Sequence, residues 1–510
     1  MLEGMSHLLR TDLVLVNPGA RTEIYQSLGK RLTAVENPIW AGLIATFVRR
    51  RGYSVEIIDA EGDELAPSQI ADRIADIKPR LVAVVVYGHQ PSASTQNMTG
   101  ASLACAAIRE RVPDVRILML GGHVAALPDR TLAEEACDFV AHDEGLHTIV
   151  DLLEAARQGD TSLSKIRGLT YWDGGRLRQL RSNEAAPLVK DLEESMPGVA
   201  WDLLPMNQYR AHNWHCFGHF EREPYAAIYT TLGCPYKCSF CCIQAPFKAG
   251  EKELGLKETV NSYRFWSPQR VIEEIDLLVN KYGVRNIKFA DEMFVLNVRH
   301  VSGICDLIIE RGYDLNIWAY ARVDTVKDGM LDKLKRAGFN WLAFGIEAAS
   351  DRVLSDVDKR YEIEQVYDTI ARVKAAGINI IGNYIFGLPE DDLDSMQQTL
   401  DLALELETEF ANFYSAMAYP GSSLYRQAVA NGWPLPATWS GYSQHAVDTL
   451  PLPTKHLPAS EVLKFRDSAF QRYFTHQPYL AYVERRFGAD TVAHIREMSA
   501  HKLERKFAAV

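Results

Sequence analysis

Short apolar runs alternate with amphipathic segments twice along this 510-residue chain. In the first series the runs fall at 12–16, 53–59, 81–87, 116–120 and 138–141, with helical patterns near 39–52, 67–77, 97–112, 129–136 and 144–157. Strands that alternate with helices predict a parallel sheet covered on both faces. Ligands of such sheets sit beyond the carboxyl ends of the strands. The second series opens on Tyr225-Ala-Ala-Ile-Tyr-Thr-Thr-Leu232. Strand patterns follow at 286–290, 315–320, 341–345, 378–386 and 412–416, and helical patterns near 268–281, 298–311, 327–337, 363–376, 392–406 and 422–431. In the first of these helices Val271, Ile272, Ile275, Leu278 and Val279 share one face. Six strand–helix units are fewer than the eight of a closed barrel. They predict a partial (β/α)6 barrel, open on one side.

The rest of the chain lacks this alternation. Residues 158–224 read as a connector, with a hairpin turn signal at Asp173-Gly-Gly175 and with Pro187, Pro197 and Pro205 as punctuation. His212, Trp214, His215 and His219 form an aromatic, histidine-rich patch, expected to pack or to cover an active site rather than to bind metal. Residues 432–510 read as a C-terminal extension with a proline-rich stretch at 449–454 and helical patterns at 459–474 and 489–505. The expected fold class is α/β. Its parts are a Rossmann-like, doubly wound domain (1–157), the connector (158–224), the partial barrel (225–431) and a mainly helical extension (432–510).

Composition narrows the function classes. Hydrophobic residues at 47% and charged residues at 24% suit a globular chain. A net charge of -11 gives no electrostatic case for nucleic acid or an anionic membrane surface. No apolar run approaches the ~18 residues of a membrane span, and the first residues lack a basic-then-apolar signal pattern. A cytoplasmic location is the expectation. Eight cysteines argue for a reduced compartment rather than a disulfide framework.

Three of those cysteines, Cys234, Cys238 and Cys241, stand at C-x3-C-x2-C spacing just after the strand at 225–232. Thiolates so close hold zinc or an iron–sulfur cluster. A closed zinc site wants four ligands, and no second close Cys or His pair supplies them. A three-ligand cluster leaves one iron open. Cys242 points away from its neighbour on an extended segment and reads as a packing residue.

The motif resembles the signature of radical S-adenosylmethionine (SAM) enzymes, in which three cysteines hold a [4Fe-4S] cluster and SAM chelates the open iron. Segments after the later strands resemble the family's SAM contacts in the same order. Asp291 and Glu292 follow the second strand, where the resemblance implies a partner for the methionine amine. Arg322 follows the third; it suits a clamp on the methionine carboxylate or a substrate anion, with a structural pair to Asp324 or Asp291 as the alternative. Glu347, in Phe344-Gly-Ile-Glu-Ala-Ala-Ser350, matches the acid that accepts from the ribose. Gly387, in Gly382-Asn-Tyr-Ile-Phe-Gly-Leu-Pro-Glu390, and Tyr419, in Ala418-Tyr-Pro-Gly421, match segments that meet the adenine.

The domain order extends the resemblance to the cobalamin-binding radical SAM family. Cobalamin is then implied across the loops that carry Asn17, Gly88, His89, Gln90, Ser92, Ser94, Gly121, Gly122, Glu144 and Gly145. Neither GxGxxG nor Asp-x-His-x-x-Gly is present, so a dinucleotide reading is weak and a histidine ligand to cobalt is not implied. The implied activity is methyl transfer to an unactivated carbon of a small molecule or biosynthetic intermediate, with electrons from a flavodoxin or ferredoxin. Oxidative cyclisation or rearrangement is the alternative among enzymes, and a cobalamin-binding sensor or interaction protein the alternative of another class. No catalytic residue is assigned.

Overall fold

Leu13, Val14, Leu15 and Val16 are all fully buried, as a central strand covered on both faces requires. The computed structural model describes residues 11–19, 21–26, 28, 33–160, 162–174, 178–218 and 221–507. It forms two units. The first comprises Met1–Ala20, Pro38–Pro205 and Cys242–Arg264, and the second Arg21–Asn37, Met206–Cys241 and Phe265–Val510.

The first unit is built on a seven-stranded sheet: β1 (Leu13–Asn17), β2 (Val55–Asp59), β3 (Leu81–Val85), β4 (Arg116–Leu120), β5 (Phe139–Ala141), β6 (Leu169–Asp173) and β7 (Gln179–Ser182), in the order β2-β1-β3-β4-β5-β6-β7. The first five strands are parallel, with Leu13 opposite both Val55 and Leu81. Their order reverses direction beside β1, so the binding crevice of this topology lies at the carboxyl ends of β1 and β3. The last two strands are antiparallel. This hairpin extends the domain sheet, although its sequence falls within the stretch read as connector. The tip at Gly175 lies outside the described residues.

Residues 242–264, which follow the cysteine motif in the chain, also fold with this unit. Their short helix α1 (Ala245–Glu251) places Phe247 6.1 Å from Trp40, which stacks on Tyr87 at 4.2 Å. Glu251 Oε1 accepts from the Gln244 side chain and from Ser262 N, both at 2.6 Å, and closes the segment on itself.

The second unit is built on a six-stranded sheet: β8 (Tyr225–Ile228), β9 (Asn286–Phe289), β10 (Asn316–Ala321), β11 (Phe339–Glu347), β12 (Asn379–Phe386) and β13 (Phe410–Ser415). They are parallel and adjacent in sequence order. Right-handed crossovers between consecutive parallel strands put every helix on one face, so the other face lines the interior of a partial barrel. The helices start where sequence chemistry demands. Ser267 accepts from Arg270 N before Pro268–Tyr282, and Asn297 accepts from Arg299 N and His300 N before Val298–Arg311. Each such cap contributes about 1 kcal/mol.

The amino ends of the strands are plugged by residues 212–217. Trp214 lies edge-on to Trp318 (5.1 Å) and Trp341 (5.5 Å), and His212 stacks on it at 5.4 Å. Asparagine amides link the strands beneath: Asn340 donates to Asn316, and Asn316 donates to Asn286 and to the His215 carbonyl. His215 is wholly buried, and burial pushes its pKa down to about 3. The histidine-rich patch is therefore packing at the end opposite the cysteine loop, not a cover over it. His219 lies outside the described residues.

Among the described residues the C-terminal extension contains three α-helices, Ala459–Phe474, Gln477–Phe487 and Ala489–Ala500; the middle one has no counterpart in the sequence expectation. A side chain of the first helix, with Gln444, bonds the free edge of β13. Arg466 Nε donates to the Phe413 carbonyl at 2.7 Å, and Gln444 bonds both the N–H and the C=O of Ser415.

Candidate metal centre and ligand loops

The cysteine loop leaves the carboxyl end of β8 through Gly233, whose φ of +88° lets the chain turn. Three contacts fix it. Ser239 N donates to the Val357 carbonyl (3.1 Å), and Leu424 N donates to the Ser239 carbonyl (2.8 Å). Phe240 packs against a buried cluster of Ala418, Leu424, Ala428 and Leu452. None of the three motif cysteines is in a disulfide. Burial pushes the Cys234 thiol up to about 12, with Glu292 and Cys238 near enough to add to the effect.

Among the described residues no three Cys, His, Asp or Glu side chains stand at the separations of a formed metal site. The donor set still fits an iron–sulfur cluster. Three thiols share one anchored loop, two of them sense each other electrostatically, and a cation lies beside one sulfur.

That cation is Arg322, at the end of β10. Its Nη1 donates to Cys238 Sγ at 3.7 Å, while Nε and Nη2 donate to the two carboxylate oxygens of Asp324 at 2.9 and 3.1 Å. The guanidinium carbon lies 3.9 Å from the Tyr236 ring centroid. The fork is thus engaged by Asp324, the structural pairing that the sequence leaves open.

The acids of the second strand separate in role. Asp291 is buried and accepts from Thr230 N (2.9 Å) and Thr230 Oγ1 (3.0 Å), and His300 Nε2 lies 2.9 Å from the same hydroxyl. Its carboxylate braces the strand before the cysteine loop, which leaves Glu292 the better candidate for a ligand amine. Burial pushes the Asp291 pKa up to about 6 and that of Glu292 up to about 8, against the opposing charge of Lys288 in the latter case.

Glu347 ends β11 at φ +61°, where the register with β12 shifts. A non-glycine residue in that region carries about 1–3 kcal/mol of strain and marks a site where surrounding contacts over-determine the backbone. Lys359 supplies one of those contacts: its Nζ is paired with Glu347 Oε1, and both side chains are buried. Tyr361 donates to the Ile346 carbonyl beside them. Gly387 has φ +82°, and its N–H donates to Asp391 at 2.9 Å. A Cβ there would stand 2.3 Å from Val462 Cγ1, so this glycine admits the first C-terminal helix. Tyr419 OH donates to the Tyr442 carbonyl at 3.2 Å.

In the first unit the loops beyond β1, β3, β4 and β5 carry the other candidates. Asn17 Nδ2 donates to Asp59 at 2.7 Å. Gly88 faces Ala93, and a Cβ at Gly121, with φ +144°, would meet the Val86 carbonyl at 2.0 Å. Ser94 Oγ donates to that carbonyl and accepts from His123 N at 2.8 Å. Gly122 lies beside Ser94, and His89, Gln90 and Ser92 occupy the loop that leads into the helix Ala93–Arg111. His123 is buried, 3.1 Å from Thr95 Oγ1, and burial pushes its pKa down to about 3. Glu144 pairs with Arg264 (2.8 Å) and accepts from Val189 N (3.0 Å), and Gly145 N donates to Asp143. Asn17 and Glu144 therefore shape their loops through internal bonds, while the glycines bring backbone to the crevice.

Sequence reasoning misses Phe240, Lys359 and Arg264. Phe240 carries a signal, an aromatic residue inside a loop that must be fixed. Lys359 and Arg264 carry none, because their partners lie 12 and 120 positions away.

The family profile described as Radical SAM superfamily matches residues 228–403, and the B12 binding domain profile matches residues 27–153. An uncharacterised methyltransferase of Pyrococcus horikoshii is 29% identical over 463 residues, 91% of this chain and 92% of the relative. The anaerobic magnesium-protoporphyrin IX monomethyl ester cyclase of Cereibacter sphaeroides is 25% identical over 425 residues, 81% of this chain and 63% of the cyclase. Among solved structures, the cobalamin-dependent S-adenosylmethionine radical enzyme OxsB, with aqua-cobalamin and S-adenosylmethionine bound, superposes with a TM-score of 0.68 at 16% identity. That match covers 97% of this chain and 72% of OxsB. At such identity the likeness is one of fold.

Proposed function

Because the chain belongs to the cobalamin-binding radical SAM enzymes, we propose that it methylates an unactivated carbon of a small-molecule substrate. The observation that carries this reading is one chain with both a C-x3-C-x2-C loop of three thiols at the mouth of a six-stranded partial barrel and a parallel 2-1-3-4-5 sheet with glycine-lined loops. When bound, the cluster and SAM supply a 5′-deoxyadenosyl radical, and cobalamin supplies the methyl group. The cofactors carry the difficult chemistry, and the protein binds, orients and excludes water.

In this reading Cys234, Cys238 and Cys241 hold the cluster. Glu292 receives the methionine amine, Glu347 accepts from the ribose hydroxyls, and backbone near Gly387 and Tyr419 meets the adenine. The loops at Asn17, Gly88–Ser92, Gly121–Gly122 and Gly145 bear cobalamin. Electrons come from a flavodoxin or ferredoxin. Eight cysteines outside any disulfide and an oxygen-sensitive cluster suit the reducing cytoplasm. No helix among the described residues is long and apolar enough to cross a membrane.

Anaerobic incubation of the reconstituted protein with reductant, SAM, cobalamin and candidate substrates tests the proposal. Formation of 5′-deoxyadenosine together with a methylated product supports it; absence of both from a cluster-loaded preparation rejects it. The cyclase relative favours a second reading, oxidative cyclisation, whose mark is cobalamin-dependent turnover without added methyl.

A further inference from the structure

Arg322 is a fixed charge aimed at a cluster ligand. Its side chain is 8% exposed and that of Asp324 is 30% exposed. The counter-ion thus faces water, where solvent screens it, while the guanidinium faces the buried side. Nε and Nη2 are held by Asp324, Tyr236 covers one face, and Nη1 points at Cys238 Sγ at 3.7 Å. A guanidinium stays charged at every accessible pH. An N–H donor on a cluster sulfur, in a low-dielectric setting, favours the state with one more electron, since hydrogen bonds to the sulfurs help set cluster potentials.

We propose that Arg322 tunes the cluster rather than clamping SAM: it donates a hydrogen bond to the Cys238 sulfur and raises the reduction potential of the [4Fe-4S] centre. The inference rests on the reading that Cys238 is a cluster ligand. The step concerned is the uptake of one electron from a reduced flavodoxin- or ferredoxin-class donor, by which the 2+ cluster becomes 1+. Arg322 is a positioning and electrostatic residue in that step and exchanges no proton.

The test is a redox titration of the reconstituted full chain without SAM, followed by electron paramagnetic resonance, alongside iron and sulfide content and SAM affinity. In Arg322→Gln the midpoint moves to a more negative potential at unchanged iron and sulfide content, and SAM affinity holds within about twofold. Arg322→Lys, which keeps the charge but loses the fork, falls between it and the wild type. Asp324→Asn removes the counter-charge and moves the midpoint upward; this variant carries the test where Arg322→Gln does not fold. An unchanged midpoint in Arg322→Gln, or in Asp324→Asn where the former does not fold, overturns the inference. So does a large loss of SAM affinity at an unchanged midpoint, which returns Arg322 to the clamp role. A wild-type protein with neither iron nor a resonance signal after reconstitution overturns the cluster reading itself, and the inference with it.

Discussion

Lys359 Nζ meets Glu347 Oε1 as a buried ion pair at the carboxyl end of β11, and the glutamate it holds stands in the left-handed region of backbone space. The pair aims the carboxylate and offsets the charge of the acid. Removal of one partner from a buried pair costs about 3–5 kcal/mol, because the other charge is left uncompensated. Lys359→Met is expected to lower the thermal midpoint and to weaken SAM binding by about tenfold or more, with partial recovery in Lys359→Arg. Calorimetric SAM titration and differential scanning calorimetry on cluster-loaded protein check this. Unchanged SAM affinity in a folded Lys359→Met protein would show that Glu347 does not touch the ligand.

The cysteines separate cleanly in expectation. Cys234→Ala, Cys238→Ala and Cys241→Ala each lose the reconstituted cluster, measured as iron and sulfide per chain, and yield no 5′-deoxyadenosine. Cys242→Ala retains both, since Cys242 is buried in the first unit. A cluster content in Cys238→Ala equal to that of the wild type would contradict the ligand assignment.

Gly387 tests the fit of the C-terminal helix. In Gly387→Ala the new methyl meets Val462 at 2.3 Å and the backbone stays at φ +82°. The positive φ alone costs about 1 kcal/mol, and overpacking adds about 1–3 kcal/mol. Urea unfolding should show the loss. Val462→Ala in the same chain should return part of it, the backbone share remaining.

His123 gives a pH signature. Its pKa is about 6.5 in an unfolded chain and is pushed down to about 3 by burial in the fold. Between those values the unfolded chain binds a proton that the folded chain does not, so stability is lost as pH falls from about 6.5 toward 3. The limiting slope is about 1.4 kcal/mol per pH unit. The stability difference between wild type and His123→Gln should therefore shift in favour of the variant between pH 7 and pH 4. Parallel curves across that range would mean that the histidine takes up its proton in the fold over the same pH range as in the unfolded chain.

The alternation of apolar runs predicts both sheets, because buried parallel strands must be apolar on both faces. The barrel's open form follows from a count of strand–helix units. The cysteine loop is equally legible, since its chemistry lies within eight consecutive residues. Other features depend on distance in space. Residues 242–264 carry no mark of the unit they join, and the hairpin at 169–182 reads the same whether it is a connector or an extension of a sheet. Arg322 illustrates the limit most directly. Its position after the third strand is visible in the chain, but whether it faces SAM, Asp324 or a sulfur is set by the turn that follows and by Tyr236, 86 positions earlier.

The free edge of β13 has a consequence for how this chain can be shortened. Arg466 and Gln444 occupy hydrogen-bonding groups that a seventh strand would otherwise take. An open apolar sheet with an unguarded edge invites pairing with another chain. A version that stops near residue 440 keeps every strand and every motif cysteine, yet exposes Phe413 and Ser415 as a template for strand addition. Such a truncation should accumulate as insoluble material during expression, and fusing a solubilising partner would postpone that outcome without curing it.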